Sequence, residues 1–467
     1  MSAHAETAQK AAASVSLPGP WEIFGQRLRH YELYFDGRKV ETVRGPIYVE
    51  GVGLRVFRAK EGGVSVGFQA STDLSAQGLS ALAQDAERLA TFALFPAKNV
   101  DLPARAPAGA AEAPILDPAL WDDPVKRVQD YAAALLASFP AGGEPAPSFG
   151  SIKATLVENS IINSAGLSAS YSETSAELET AVKSSGGPEG APPGEYWVTR
   201  DIRRLDPKEL PGQVEAWCQR ARDVRRAKQP PSGQLPIGLP TSLLAEILPA
   251  ALAGRFSGSG KLRKIAVEPG TAVARPTVTV HDDPSVPWAI GSAPFDDEGS
   301  TPQRVPLIEK GTVGDLVYDC LHAGAFDVRS TGGGGRLSEF GRREWLRFTT
   351  RPSPVLSTLV IGAGSDGSDA EVIEGVEDGV WIDQLGWPNP DMVSSAFGGE
   401  IRIGYRIRHG RLTEPVRGGT MGGLTFASPD TPSLLGSVRA IGSTATLVGR
   451  VLSPPLVVEG LTVSGEG

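Results

Sequence analysis

Between Tyr31 and Ser71 apolar residues alternate with polar ones, with Val52, Leu54 and Val56 and then Val64, Val66 and Phe68 on every second position. Period two with glycine between the runs predicts a meander of strands. The period then changes. Leu79, Leu82, Ala86, Leu89 and Ala93 recur at three and four, which predicts a helix capped near Asp73 or Ser75 with one apolar stripe against that sheet.

Further along, Asp123-Pro124 offers a cap and a first-turn proline to a second helix carrying Val125, Val128, Ala132, Leu135 and Leu136, closed by the Pro/Gly run Pro140 to Pro147. Two Ser/Thr-rich runs, 152–166 and 168–186, read as strands of a half-exposed hairpin. Val214, Trp217, Cys218, Ala221 and Val224 mark a helix from Gln213 to about Lys228, and a further apolar helix starts near Thr241. From Pro276 onward short β-like runs and Gly/Pro turns continue to the C-terminus. The fold class expected is therefore α+β. Residues 1–20 read as a flexible leader, 21–235 as an N-terminal α+β domain with a small sheet and helices, and 236–467 as a large, mostly antiparallel β domain. Within the first domain the Ala/Pro-rich stretch Ala97 to Ala113 reads as a linker.

Composition supports many turns: glycine (56) and proline (38) make up about a fifth of the 467 residues, without a collagen-like period. Hydrophobic residues at 40% and a mean hydropathy of -0.11 describe a globular chain of more than one core. A net charge of -9 removes the basic footprint of nucleic-acid binding, so no direct nucleic-acid partner is expected. No apolar run reaches the ~20 residues of a membrane helix, and the N-terminus is too weakly apolar for a secretory signal. Two distant cysteines, Cys218 and Cys320, indicate neither a disulfide framework nor a thiolate metal site, which suits a cytoplasmic location.

Several strings resemble catalytic motifs and fail on context. Gly362 to Gly367 matches GxGxxG, but the space before Gly375 holds only about two helical turns, too few for a dinucleotide crossover. The GRFSGSGK run, residues 254–261, has five residues between the glycines and Leu262 after the lysine, so it is no phosphate loop. Ser65, in GVSVG, sits inside an alternating strand rather than at a nucleophile elbow. In the hairpin Glu400 to Thr413, Ile401, Ile403, Tyr405 and Ile407 predict a buried face and Arg402, Arg406 and Arg408 a solvated one, turning at His409-Gly410.

Two acidic loops stand out, Asp282-Asp283 after the alternation of Thr277 to Val280, and Asp296-Asp297-Glu298. Five carboxylates have the chemistry to bind Ca²⁺ or Mg²⁺, but the spacing matches no EF-hand and both loops carry ordinary turn residues. Turn or cleft architecture is the reading preferred. The order of DDPSVP (282–287), FDDEG (295–299), LIEKG (307–311), STG (330–332), LVIGAG (359–364), GWPNPDMVSSAF (386–397) and the 399–410 hairpin resembles the TldD/PmbA family, called modulators of DNA gyrase. The similarity covers most of the chain, including an NS-x-G hairpin turn at Asn163 to Gly166.

The resemblance implies a metalloprotease assembly acting on peptides. In the active branch an HExxxH helix binds zinc, because two imidazoles on adjacent turns share a tetrahedral metal while the glutamate activates water. The corresponding helix here reads Ala245-Glu246-Ile247-Leu248-Pro249-Ala250, and His4, His30, His281, His322 and His409 are too scattered to replace that pair. Glu246 is then read as a solvated helix position. The expectation is a TldE/PmbA-like subunit with no cofactor or catalytic residue of its own, whose partner is a TldD-like HExxxH subunit carrying the zinc. Unfolded peptide would be the substrate, with Phe295, Asp296, Asp297, Glu298, Gly299, Ser330, Thr331 and Gly332 bordering the cleft. The rivals are a self-sufficient metal-dependent peptidase using the acidic loops and a non-enzymatic homo-oligomeric binding protein.

Overall fold

The computed structural model describes residues 6–92, 94–107, 113–185, 193–337, 346–364 and 371–465. Strands β1 (Trp21–Asp36), β2 (Lys39–Lys60), β3 (Gly63–Ser71), β4 (Leu94–Phe95), β5 (Ala146–Asn163), β6 (Ser168–Ser184) and β7 (Gly194–Ile202) form one sheet in the order β4-β3-β2-β1-β5-β6-β7. Every pairing in it is antiparallel. The N-terminal meander is thus joined edge to edge with the Ser/Thr-rich hairpin through β1 and β5, and β7 adds an edge strand that the sequence pattern did not reveal.

Period two decides what each sheet face meets. Ile23, Leu33 and Phe35 of β1 point to a face covered by helices α1 (Glu6–Ser14), α2 (Ala76–Leu89), α3 (Pro118–Asp122), α4 (Pro124–Ala137) and α5 (Leu210–Arg226). Ser75 caps α2 by accepting from Gly78 N, and Asp123 caps α4 by accepting from Lys126 N, each satisfying an orphan amide of the first turn. Two details of the expected stripes differ. Leu89 and Val125 are exposed, while Tyr131 and Pro124 join the core, and Ala93 lies outside the described residues.

The expected leader also differs from its description as flexible, since α1 packs Ala8 and Ala11 onto the sheet, where a methyl is all that fits beside Gly25. The linker stretch holds buried Ala97 and Leu102 against Leu321, although residues 108–112 of it are outside the described set. The approach of α1 to Gly25 would fail with any side chain there, because a Cβ would meet the Ala8 backbone at 2.8 Å.

Beyond residue 230 the described residues build two large sheets besides a two-stranded one. One has six strands, centred on Val280–Asp282 and Leu359–Ile361; the other has nine, centred on Asp378–Gly386 and Ala396–Arg408. Most pairings are antiparallel, with parallel pairs between Leu359–Ile361 and Val451–Ser453 and between Ile237–Leu239 and Asp378–Gly386. Helix α6 (Thr241–Ala253) packs against strands of both sheets, burying Leu243, Leu244, Ile247, Leu248 and Leu252 in the largest hydrophobic cluster. The hairpin predicted from 400 to 413 is present, with Ile401, Ile403 and Ile407 fully buried and His409-Gly410 turning through positive φ. Arg406 departs from the expected solvated face and is buried against Asp378.

The glycine-bearing strings find structural roles. Ser65 is buried within β3, and residues 258–262 form a short helix capped by Ser257. Gly362 to Gly364 follow a three-residue strand, Ser365 to Gly367 lie outside the described residues, and turns lead from Glu371 into the next strand.

Candidate functional site

Asp296, Asp297 and Glu298 are 9%, 7% and 0% exposed, so the second acidic loop is interior. Its oxygens are engaged by protein donors. Asp296 accepts from the amides of Glu298 (3.0 Å), Ser300 (2.7 Å) and Gly334 (2.8 Å), the Asx-turn chemistry expected of the loop. Asp297 accepts from Arg336 N (2.8 Å) and the Arg347 guanidinium (3.0 Å), and Glu298 from Cys320 N (2.7 Å) and from Arg55.

Arg55 lies on β2 and also donates to Glu22 on β1 (2.7 Å), whose other oxygen accepts from Arg336 (3.1 Å). Arg347 reaches Glu173 on β6 and Tyr171 Oη, and Arg203 joins Glu173 (2.6 Å) to the carbonyls of Ala289, Ile290 and Ser292. The helix-free face of the N-terminal sheet is therefore bolted to the C-terminal sheets through buried ion pairs, with Arg336 stacked 4.6 Å from the Phe24 ring. Burial raises the Asp296 carboxyl well above its ordinary range, with Glu298 beside it adding to the shift, whereas the facing carboxylates hold Arg55 and Arg347 charged against burial. Arg336, buried between charges of both signs, is pushed down to about 10 by burial.

Of the residues expected to border a peptide cleft, Phe295, Asp296, Asp297 and Gly332 line a cavity of only about 70 Å³, far below the roughly 300–1,000 Å³ of small-molecule sites. Ser330 instead borders a groove of about 630 Å³ at the seam between the two halves of the chain. Gly299 turns at φ +82° against Leu167, and Thr331 hydrogen-bonds Tyr318. The run after Gly332 is close-packed: Gly334–Gly335 pairs with Ser353–Pro354, and a Cβ at Gly334 would stand 2.5 Å from the Glu298 carboxylate.

The first loop is separate. Asp282 is buried and accepts from Ser357 N, Ser357 Oγ and Thr358 N, with burial pushing its carboxyl up to about 7; Asp283 accepts from Ser285. A carboxylate cation site shared by the two loops lacks ligands, because these oxygens already face protein hydrogens. Among the described residues no group of three or more His, Cys, Asp and Glu is arranged to hold a metal.

Helix α6 provides the opposite environment. One face is buried on both sheets, yet Ala245, Pro249 and Ala250 are half-exposed and Glu246 is exposed. Among the described residues Glu246 has no hydrogen-bond or ion-pair partner, and crowding by the surrounding protein alone pushes its carboxyl up to about 7. The exposure of Glu246 agrees with its sequence reading as a solvated helix position, while the desolvation comes from the surrounding fold, in which strands far along the chain, including Asp378–Gly386, Thr446–Val448 and Val451–Ser453, pack against α6. Two methyl groups and one carboxylate there do not fit a tetrahedral zinc. The histidines lie apart: His30 is buried on Thr155 and Glu32, His322 on Asp319, His281 lies beside Arg304 and His409 beside Glu377.

Taken together these features define a two-part α+β protein with an ion-paired seam and an accessible inner helix. The family model described as PmbA/TldA metallopeptidase C-terminal domain matches residues 232–465, and that of PmbA/TldA metallopeptidase domain 1 matches residues 21–90. The chain belongs to the PmbA/TldD family. Relatives include the metalloprotease TldD homologue of Buchnera aphidicola, 26% identical over 54% of this chain and 53% of that protein, and that of Haemophilus influenzae, 28% identical over 41% and 38%. The chain thus spans about half or less of the length of these relatives. Among solved structures, TldE from Thermococcus kodakarensis superposes with a TM-score of 0.76 at 17% identity, covering 98% of this chain and 99% of that one. A Thermotoga maritima protein described as a modulator of a DNA gyrase gives 0.77 at 18%, covering 95% and 96%. At such identities these two likenesses concern the fold. Among the described residues no helix is long and apolar enough to cross a membrane.

Proposed function

We propose that this chain is the subunit without a metal site in a TldD/TldE-type heteromeric metalloprotease. It forms part of the chamber that receives unfolded peptides, in the cytoplasm, and works beside a TldD-like subunit whose HExxxH helix carries the zinc. The observation that carries the reading is the accessible face of α6, where, in the register that the family resemblance implies, Ala245 and Ala250 take the two imidazole positions of that motif around Glu246. The side chains needed to hold zinc are absent from a face that is otherwise open for chemistry. The likeness in fold to a TldE supports the same assignment.

The β-rich walls suit the task, because an extended peptide adds to a sheet edge through backbone hydrogen bonds with little demand on sequence. Elemental analysis and peptidase assays on the purified chain, alone and co-expressed with an HExxxH family member from the same source, test the proposal. Zinc and activity are expected only with the partner. About one zinc per chain together with turnover in isolation rejects it.

A further inference from the structure

The groove of about 630 Å³ lies on the seam, between the 99–104 segment and the C-terminal end of the helix Cys320–Phe326 with the residues after it. Its size falls in the range of small-ligand sites, and a junction between two structural halves is where such sites concentrate. The walls are fixed to each other. Lys98 N donates to Gly324 O (3.1 Å), the Lys98 ammonium pairs with Asp327 (2.8 Å), and the Asn99 carbonyl lies so close to Gly324 that no side chain is tolerated there.

Of the charged lining residues, Asp101 stands on the N-terminal wall and Asp327 and Arg329 on the C-terminal one; Asp327 is paired with Lys98, whereas Asp101 and Arg329 have no hydrogen-bond or ion-pair partner among the described residues. Amides of Asn99 and Gln303 also line the groove, and at its floor the Ser300 hydroxyl lies 3.4 Å from the buried Cys320 thiol. Burial, reinforced by Glu298 and Asp296, holds that thiol well above its ordinary range, so the floor is an uncharged surface and not a nucleophile.

We infer that this groove binds a small zwitterion, a short peptide or amino acid with both ends free, its ammonium on Asp101 and its carboxylate on Arg329. Opposite charges on the two walls of one groove, without partners among the described residues, match a molecule carrying both charges, and the amides in the lining match a peptide backbone. Charge-assisted contacts of this kind supply most of the selectivity of such a site. The groove shares no lining residue with α6.

Calorimetric titration of the full chain with trialanine, N-acetyl-trialanine, trialanine amide and free alanine tests it. Trialanine should bind, and capping either end should weaken binding at least about tenfold, the effect of losing one charge-assisted hydrogen bond. Asp101→Asn should make free and acetylated peptide equivalent, and Arg329→Gln free and amidated peptide. Both side chains are exposed, so unfolding midpoints should not move. Free alanine binding as well as trialanine would assign the site to amino acids. Equal affinity for all three peptides, indifference to both substitutions, or no heat at millimolar ligand overturns the inference.

Discussion

Two carboxylate environments in this protein invert what their sequences advertise. Asp296 to Glu298, three acids in a row beside glycine, look like a ligand site, yet they are interior and face donors from both halves of the chain. Glu246, one acid in an apolar helix, looks unremarkable, yet it is accessible, unpaired and desolvated. Density of charge along the chain does not locate chemistry. What matters is whether the fold supplies each charge with a partner or leaves it facing a space.

The sharpest way to break the comparison is to unpair the seam. Glu298→Ala should leave the Arg55 charge buried with one carboxylate fewer and lower the unfolding free energy by about 3–5 kcal/mol, read from urea denaturation. An effect below 1 kcal/mol would mean that the loop is not structural. Gly334→Ala should cost about 1–3 kcal/mol, since its methyl collides with the Glu298 carboxylate rather than with a flexible apolar end. Asp297→Asn keeps the shape but weakens the pairs with Arg336 and Arg347, and a loss of about 1–3 kcal/mol is expected, with urea midpoints as the measure.

The smallest effect belongs to Glu246. Its folded pKa lies above the unfolded one, so the folded state binds the extra proton, and its contribution to stability falls as pH rises from about 4.5 to about 7 and is level above that. Glu246→Gln should remove this slope and raise stability at pH 8 by less than about 1 kcal/mol, the limit set by solvent screening of an accessible group. Thermal midpoints across that pH range for both proteins provide the check, and an unchanged slope would place Glu246 on an ordinary surface.

Much of the architecture was legible from local pattern. Apolar period two gave the meander and the Ser/Thr-rich hairpin, and period 3.6 with caps at Ser75 and Asp123 gave α2 and α4, because burial of one face is imposed residue by residue. The ordered blocks and the Ala245-Glu246-Ala250 register likewise come from sequence alone, since side-chain chemistry at given positions needs no coordinates. Tertiary structure alone decided the rest. Glu22, Arg55 and Glu173 sit on strands and Arg203, Arg336 and Arg347 on loops and a short turn, up to 314 residues apart, and they give no sequence signal, because charged residues ordinarily face water. They become partners only when one sheet face is pressed against the C-terminal half, where burial turns each unpaired charge into a penalty that only an opposite charge removes.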